Sequence, residues 1–300
     1  MARRSVFTIL VVAVLSLMVF TGLVLAIITA SGNSSGLKLG DRIAVIPIDG
    51  VIGDDKEVLD QIRDFRDDAS VKGYVVAINS PGGNVGPSQS IYREIKRIRE
   101  EDRRPVIAAI SGVGASGGYY IALAADSIYA NPGAITGSIG VIMELPNVEP
   151  LMNKVGVHWQ VVKSAEHKDI GSPFREMSES DRQILGAMVQ DVYQQFVDVV
   201  AKERRVSRSD LMSLADGRVL SGKQALENRL IDRLGNFNDA VAAAGRMAGI
   251  GKRPRLTYPE KERVTLLDVL LGRVATNAVS NIMRPLEQVA STPRIKFLIP

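Results

Sequence analysis

After residue 40 the chain alternates short apolar runs with longer amphipathic ones, and that alternation restricts its fold more than any other feature. Residues 43–48 and 73–79 read as strands buried on both faces, with an amphipathic helix over 55–68 between them. A charged helix over 87–101 and a third strand over 106–111 follow. A helix starting near Ser116 is implied by the Tyr-Tyr-Ile-Ala-Leu-Ala-Ala run at 119–125. Strands and helices of these lengths in this order make βαβ units, hence an α/β fold with a largely parallel sheet covered on both faces. Residues 139–143 and 157–163 are expected to add strands. Residues 179–205 form the longest helical pattern, capped by Ser178 with Asp181 three residues on. Shorter helices run to residue 249. Residues 264–289 carry an apolar helical face too short and too charged for a membrane crossing, suited to packing on the domain or on a neighbouring subunit.

The amino terminus sets the compartment. Residues 6–30 hold no charge and follow Arg3 and Arg4, and a helix of that length is ~37 Å long, enough to span the hydrocarbon core with some tilt. Residues 27–31, Ile-Ile-Thr-Ala-Ser, make a poor signal-peptidase site, so the segment is expected to stay as an anchor. The arginines place residues 1–5 in the cytoplasm and the rest of the chain outside, tethered by the polar linker 31–40. Lys plus Arg number 37 against 33 acidic residues and are interspersed with them, a solvated mixed-charge surface and no nucleic-acid face. The absence of cysteine excludes disulfides, thiol catalysis and cysteine-ligated zinc.

Two glycine-rich turns follow apolar strands, where an open parallel sheet places its ligands. Asn-Ser-Pro-Gly-Gly at 79–83 lets a carbonyl approach backbone amides with no Cβ in the way, as an oxyanion hole requires, although a glycine pair after a strand is commonly only a turn. Gly114 to Gly118 fits G-x-S-x-G, a serine held on a strand-to-helix corner with the next amide available to an oxyanion. Its hydroxyl needs a base. The only histidines are His158, beside Trp159 in an expected strand where a structural role is the default, and His167, in a polar loop where solvent exposure is. Both follow Ser116 too closely for the usual α/β-hydrolase order. A lysine serves if it is neutral. Lowering a pKa of ~10.4 by about three units takes ~4 kcal/mol of differential destabilisation of the cation, which burial and helix amides can supply. Lys163 and Lys168 lie in a loop after an expected strand, and spacing does not choose between them.

The chain resembles the signal peptide peptidase A family, of the crotonase-like and Clp-peptidase-like superfamily. The resemblance rests on Ile-Asn-Ser-Pro-Gly-Gly at 78–83, Gly-Ala-Ser-Gly-Gly-Tyr-Tyr at 114–120 and Asn-Pro-Gly-Ala-Ile-Thr-Gly-Ser-Ile-Gly-Val at 131–141. The 163–175 loop, Ala-Asp-Gly-Arg-Val at 215–219 and Ile-Asp-Arg-Leu-Gly at 231–235 extend it, so that it covers about 41–250. It implies repeated ββα units over a catalytic domain at 41–250, with 251–300 as a helical extension. It implies a Ser/Lys dyad: Ser116 as nucleophile, Lys168 as general base, Ser138 orienting the lysine, and the amides of Gly83 and Gly117 as oxyanion hole, with no metal or cofactor. The implied reaction is acyl-enzyme hydrolysis of remnant signal peptides and other membrane-associated peptides, at the inner membrane with the catalytic domain extracytoplasmic. The family's long form carries two tandem copies of the domain; a single copy implies a homo-oligomer, with Ser116 and Lys168 supplied either by one protomer or by adjacent ones. The rival readings are a crotonase-like acyl-CoA enzyme, a non-catalytic membrane scaffold of the same fold, and an α/β-hydrolase esterase.

Overall fold

The computed structural model describes residues 15–22, 40–260 and 295–298. The chain divides into two units, Met1–Gly40 and Asp41–Pro300. In the first, residues 15–22 form a helix (α1) with Leu17, Met18, Val19 and Phe20 exposed. The remainder of the expected span 6–30 lies outside the described residues, and among those described no helix is long and apolar enough to cross a membrane.

The second unit is built on the expected parallel sheet. Strands β1 (Arg42–Asp49), β2 (Val71–Ser80), β4 (Val106–Ala115), β5 (Ser127–Ala130), β9 (Arg233–Leu234) and β10 (Arg255–Thr257) lie in the order β10-β1-β2-β4-β5-β9, every neighbouring pair parallel. Successive side chains point to opposite faces. Ala44, Ile46 and Ile48, with Tyr74, Val76 and Ile78 and with Val106, Ala108 and Ile110, enter the larger core. Helices α2 (Lys56–Asp67), α3 (Val85–Glu100), α4 (Gly117–Ala122) and α6 (Glu179–Arg204) contribute Ile62, Ile91, Ile121 and Phe196 to it. Ile43, Val75, Ile107, Ala109 and Tyr129 face the smaller core, closed by Ala240, Val241 and Ala244 of α9 (Phe237–Met247). Burial on both faces is why these strands read as unbroken apolar runs. Each fully buried isoleucine contributes roughly 1.5–3 kcal/mol.

Beyond its paired half, β4 runs on and its last residues pair with β6 (Ile135–Gly137), which β8 (Val219–Ser221) joins antiparallel. A separate three-stranded sheet is made by β3 (Gly82–Asn84), β7 (Ile142–Met143) and β11 (Ile295–Leu298), with β11 in the centre and antiparallel to both. Helices α5 (Glu149–Lys154), α7 (Arg208–Met212) and α8 (Gly222–Glu227) and a 3-10 turn at Glu166–Asp169 complete the described elements.

Four expectations need correction. Residues 157–163 form no strand: they pair with none of the described strands, and Val157, Trp159, Val161 and Val162 are exposed, Val162 completely. His158 is therefore exposed, and not a satisfied structural histidine. The strand read at 139–143 shrinks to β7, and β6 precedes it unanticipated. In the segment expected to be a helical extension, 255–257 and 295–298 are strands, and 264–289 lies outside the described residues.

Candidate active site

Ser116 sits where β4 hands over to α4. Its backbone is at φ 51°, ψ −116°, a region a serine occupies at a cost of about 1–3 kcal/mol and one found where function demands it. Two hydrogen bonds hold the corner: Ser116 N donates to Gly137 O (2.8 Å), and Tyr120 N donates to Ser116 O (2.8 Å). The residue is 1% exposed, and its Oγ has no hydrogen-bond partner. Buried hydroxyls are ordinarily satisfied, so one without a partner among the described residues marks Ser116 as a candidate reactive group.

The 79–83 turn meets the serine corner backbone to backbone. Ser80 Oγ accepts from Gly82 N (3.1 Å), and Gly82 takes φ 103°, open to glycine alone. Ile52 N donates to Gly82 O (2.9 Å) and Asn84 N to Ile52 O (2.8 Å), so the groups flanking Gly83 are occupied. A Cβ on Gly117 would stand 3.2 Å from Gly83 N and 2.6 Å from Ser88 Oγ. Both positions expected to form an oxyanion hole thus adjoin one another next to Ser116. Two converging amides there stabilise the negative charge that develops on a carbonyl oxygen under attack.

A peptide strand already lies in this place. Leu298, Phe297 and Lys296 of β11 pair with Gly82, Gly83 and Asn84. A Cβ on Gly82 would collide with the Phe297 carbonyl oxygen and stand 2.8 Å from Gly117 N, so that carbonyl and the Gly117 amide share the space beside Gly82. The Phe297 ring is fully buried, stacked on Tyr120 (5.2 Å between centroids) and tilted against Phe196 (4.6 Å). Tyr92 packs edge-on to Tyr120 (5.0 Å); burial pushes its phenol up to about 12, and it donates to Glu203 (2.8 Å). Sequence reasoning missed β11; the short apolar run at 295–298 was the only signal for it.

Ser138 leaves the β4–β6 ladder beside Ser116. It is 4% exposed, its φ is 51°, and its N donates to Arg218 O (2.9 Å). Ser116, Ser138, Gly83 and Gly117 are therefore brought together, and Lys168 is not joined to them. Lys168 lies on the 3-10 turn with its side chain exposed, making no ion pair or side-chain hydrogen bond among the described residues. Lys163, the other candidate, is engaged: its Nζ donates to Glu166 O (2.7 Å) and Asp169 Oδ1 (2.7 Å). His167 Nδ1 lies 3.0 Å from Asp181 Oδ1, a His–Asp pair that does not reach Ser116.

Elsewhere, a cleft of about 610 Å³ between α2 and α3 shares no residue with this site, and its Arg66 is locked in a fork onto Asp102. Among the described residues no three His, Cys, Asp or Glu side chains converge as metal ligands.

Residues 98–251, which include Ser116, Ser138 and Lys168, match the model of Peptidase family S49. The chain is similar to a candidate protease of Synechocystis sp., 42% identical over 211 residues that make up 70% of this chain and 75% of that protein. It is 37% identical to a candidate signal peptide peptidase SppA of Enterococcus faecium, over 67% of this chain and 62% of the other. To the chloroplastic Serine protease SPPA of Arabidopsis thaliana it is 33% identical, over 83% of this chain and 36% of the other.

Proposed function

The chain belongs to peptidase family S49 and is a serine peptidase of the signal peptide peptidase A type, and from that premise we propose that Ser116 is its nucleophile and Lys168, supplied by a neighbouring copy, its general base. The observation that carries the reading is β11, a peptide in extended form laid antiparallel on Gly82–Asn84 with a carbonyl beside the Gly117 amide. A substrate strand taking the same place offers its carbonyl to Ser116 Oγ. The Lys168 amine removes the hydroxyl proton, and the amides of Gly83 and Gly117 receive the oxyanion. The resulting ammonium protonates the leaving amine. The same amine then activates water against the acyl-enzyme, while Ser138 aims it. No cofactor takes part.

Lys168 must be out of water to act as a base, and in the single chain it is exposed. The unpaired apolar stretch 157–163 accounts for this: pairing with a second copy buries it and carries the following turn into a dry interface. Residues 6–30 anchor the assembly in the inner membrane, with the amino terminus cytoplasmic and the catalytic domain outside. The ring-lined space that holds Phe297 suits large apolar side chains, abundant in remnant signal peptides and other membrane-released peptides, the proposed substrates.

A fluorophosphonate probe is expected to label Ser116 and to label nothing in Ser116→Ala, with labelling lost in Lys168→Ala. Mixing Ser116→Ala and Lys168→Ala copies is expected to restore peptide hydrolysis. Unchanged labelling of Lys168→Ala overturns the assignment of the base, and no recovery on mixing overturns its delivery by a neighbour.

A further inference from the structure

The Lys168 side chain stands free among the described residues, while both its neighbours on the turn are fastened. His167 Nδ1 meets Asp181 Oδ1 at 3.0 Å. Asp169 takes a fork from Arg175, Nε to Oδ2 at 3.0 Å and Nη2 to Oδ1 at 2.9 Å. Arg175 Nη1 then donates to Asp181 Oδ2 at 2.6 Å, which closes the circuit. Asp181 is also rooted in α6, as the third residue of the capping box with Ser178. At 1% exposure it is a carboxylate withdrawn from water for this purpose.

A four-residue 3-10 turn does not hold a direction by itself, since it closes too few hydrogen bonds to fix its own dihedrals. A base, however, must come within hydrogen-bond reach of the proton it takes, and misplacement by about 1 Å costs ~100-fold in rate. We propose that Arg175 and Asp181 are positioning residues for Lys168: with Asp169 and His167 they clamp the turn to the start of α6 and aim its backbone, leaving the amine free to enter the neighbouring site. The proposal rests on the reading of Lys168 as the base.

The charges suit the role. Asp169 and Asp181 offset Arg175 and Lys163, so among these four groups the clamp adds no net negative charge that would favour an ammonium on Lys168. Hydrogen bonds from Arg175 and Lys163 hold the Asp169 carboxyl well below the usual carboxylate range, and those from Arg175 and His167 do the same for Asp181. The clamp therefore stays ionised at any working pH. Glu166 and Glu176 are exposed and lie outside the circuit.

The test is a double-mutant cycle on peptide hydrolysis by the full-length assembled protein. Arg175→Gln is expected to lower kcat about 100-fold with KM within about twofold, since the loop lies apart from β3, where the proposed substrate strand would take the place of β11. In a Lys168→Ala background, with activity restored by added propylamine, Arg175→Gln is expected to have no further effect, because a diffusing amine needs no clamp. Equal losses in both backgrounds mean a structural role and overturn the proposal. So does wild-type kcat in both Arg175→Gln and Asp181→Asn. If Arg175→Gln does not fold, Arg175→Lys, which keeps the charge and loses the fork, is read in its place with the same expectations. A fully active Lys168→Ala is a different failure, of the assigned base and not of the clamp.

Discussion

Ser116 and Ser138 leave the β4–β6 ladder at one rung. Ala115 pairs with Gly137, and the residue after each carries a φ of 51°. The Ser116 amide donates to the Gly137 carbonyl, so the two corners are bonded together. Two serines of positive φ at adjoining strand ends bring two buried hydroxyl residues side by side, the arrangement that the proposed approach of a lysine requires. Ser116→Ala is expected to abolish hydrolysis and probe labelling. Ser138→Ala should lower kcat by about 10- to 100-fold with little change in KM, as loss of a group that aims the base and not the substrate does. Steady-state kinetics of the two variants checks this, and an unaltered kcat in Ser138→Ala removes it from the site.

Gly82 sets how closely a peptide approaches. With φ at 103° and the Phe297 carbonyl against its α-carbon, it admits no side chain. Gly82→Ala is expected to keep the domain folded, since the turn lies at the end of β2 and outside its ladder. It should lower kcat/KM by ~100- to 1,000-fold, the effect of losing aligned oxyanion donors. A circular dichroism spectrum like that of the wild type with near-zero turnover is the predicted pair of results.

If a substrate strand takes the edge of β3 that β11 occupies, as proposed, the two exclude each other. A tethered strand acts at an effective concentration near the millimolar range, so ending the chain at residue 294 should lower the apparent KM for short peptides about tenfold. Full-length and shortened proteins assayed on one peptide series provide the comparison; equal KM values mean that β11 leaves the slot without resistance.

The parallel sheet, its order of helices and the two glycine turns were legible because burial on both faces writes itself as unbroken apolar runs, and because tight corners demand glycine. Ser178 and Asp181 announced the start of α6 for the same local reason. What local pattern did not reveal is non-local. The pairing of 295–298 with 82–84 joins segments some two hundred residues apart, and no periodicity records it. The run at 157–163 has the composition of a buried strand, yet among the described residues it joins no sheet and its valines stay exposed. Spacing could not choose between Lys163 and Lys168, because the partners of a loop lysine, such as Asp169 for Lys163, are set by the turn and not by the local pattern.

Glu203 ties α6 to α3 beside the ring cluster. Its side chain is 9% exposed and is held by Lys96, by Arg99 Nη2 (2.9 Å) and by the Tyr92 hydroxyl (2.8 Å). Burial works to raise its pKa, but the hydrogen bonds from Lys96, Arg99 and Tyr92 outweigh it and bring the carboxyl down to about 2, against an ordinary 4.5. A depressed folded-state pKa stabilises fully above the unfolded value, and that stabilisation is lost as pH falls from 4.5 towards 2. Urea midpoints should therefore drop across that window, and Glu203→Gln should flatten this part of the slope. Lys96→Met, which strands part of the carboxylate, should cost ~1–3 kcal/mol at pH 7.

The exposed stretch 157–163 makes association itself testable. Val157, Trp159, Val161 and Val162 are apolar and exposed, Trp159 stacks on Phe174 at 4.4 Å, and Lys168 follows a few residues on. An aspartate at Val161 or Val162 adds a charge that an interface must desolvate without a partner, whereas in the isolated chain either position is already in water. Val162→Asp is therefore expected to leave thermal stability of the domain unchanged, to shift the protein to a lighter species in sedimentation, and to lower specific activity at least about tenfold. The loss should shrink as protein concentration rises, because mass action refills the assembly and with it the site. A light species that hydrolyses peptides at the wild-type rate would mean that one chain folds Lys168 back onto its own Ser116, and the pairing of copies would then have no part in the chemistry.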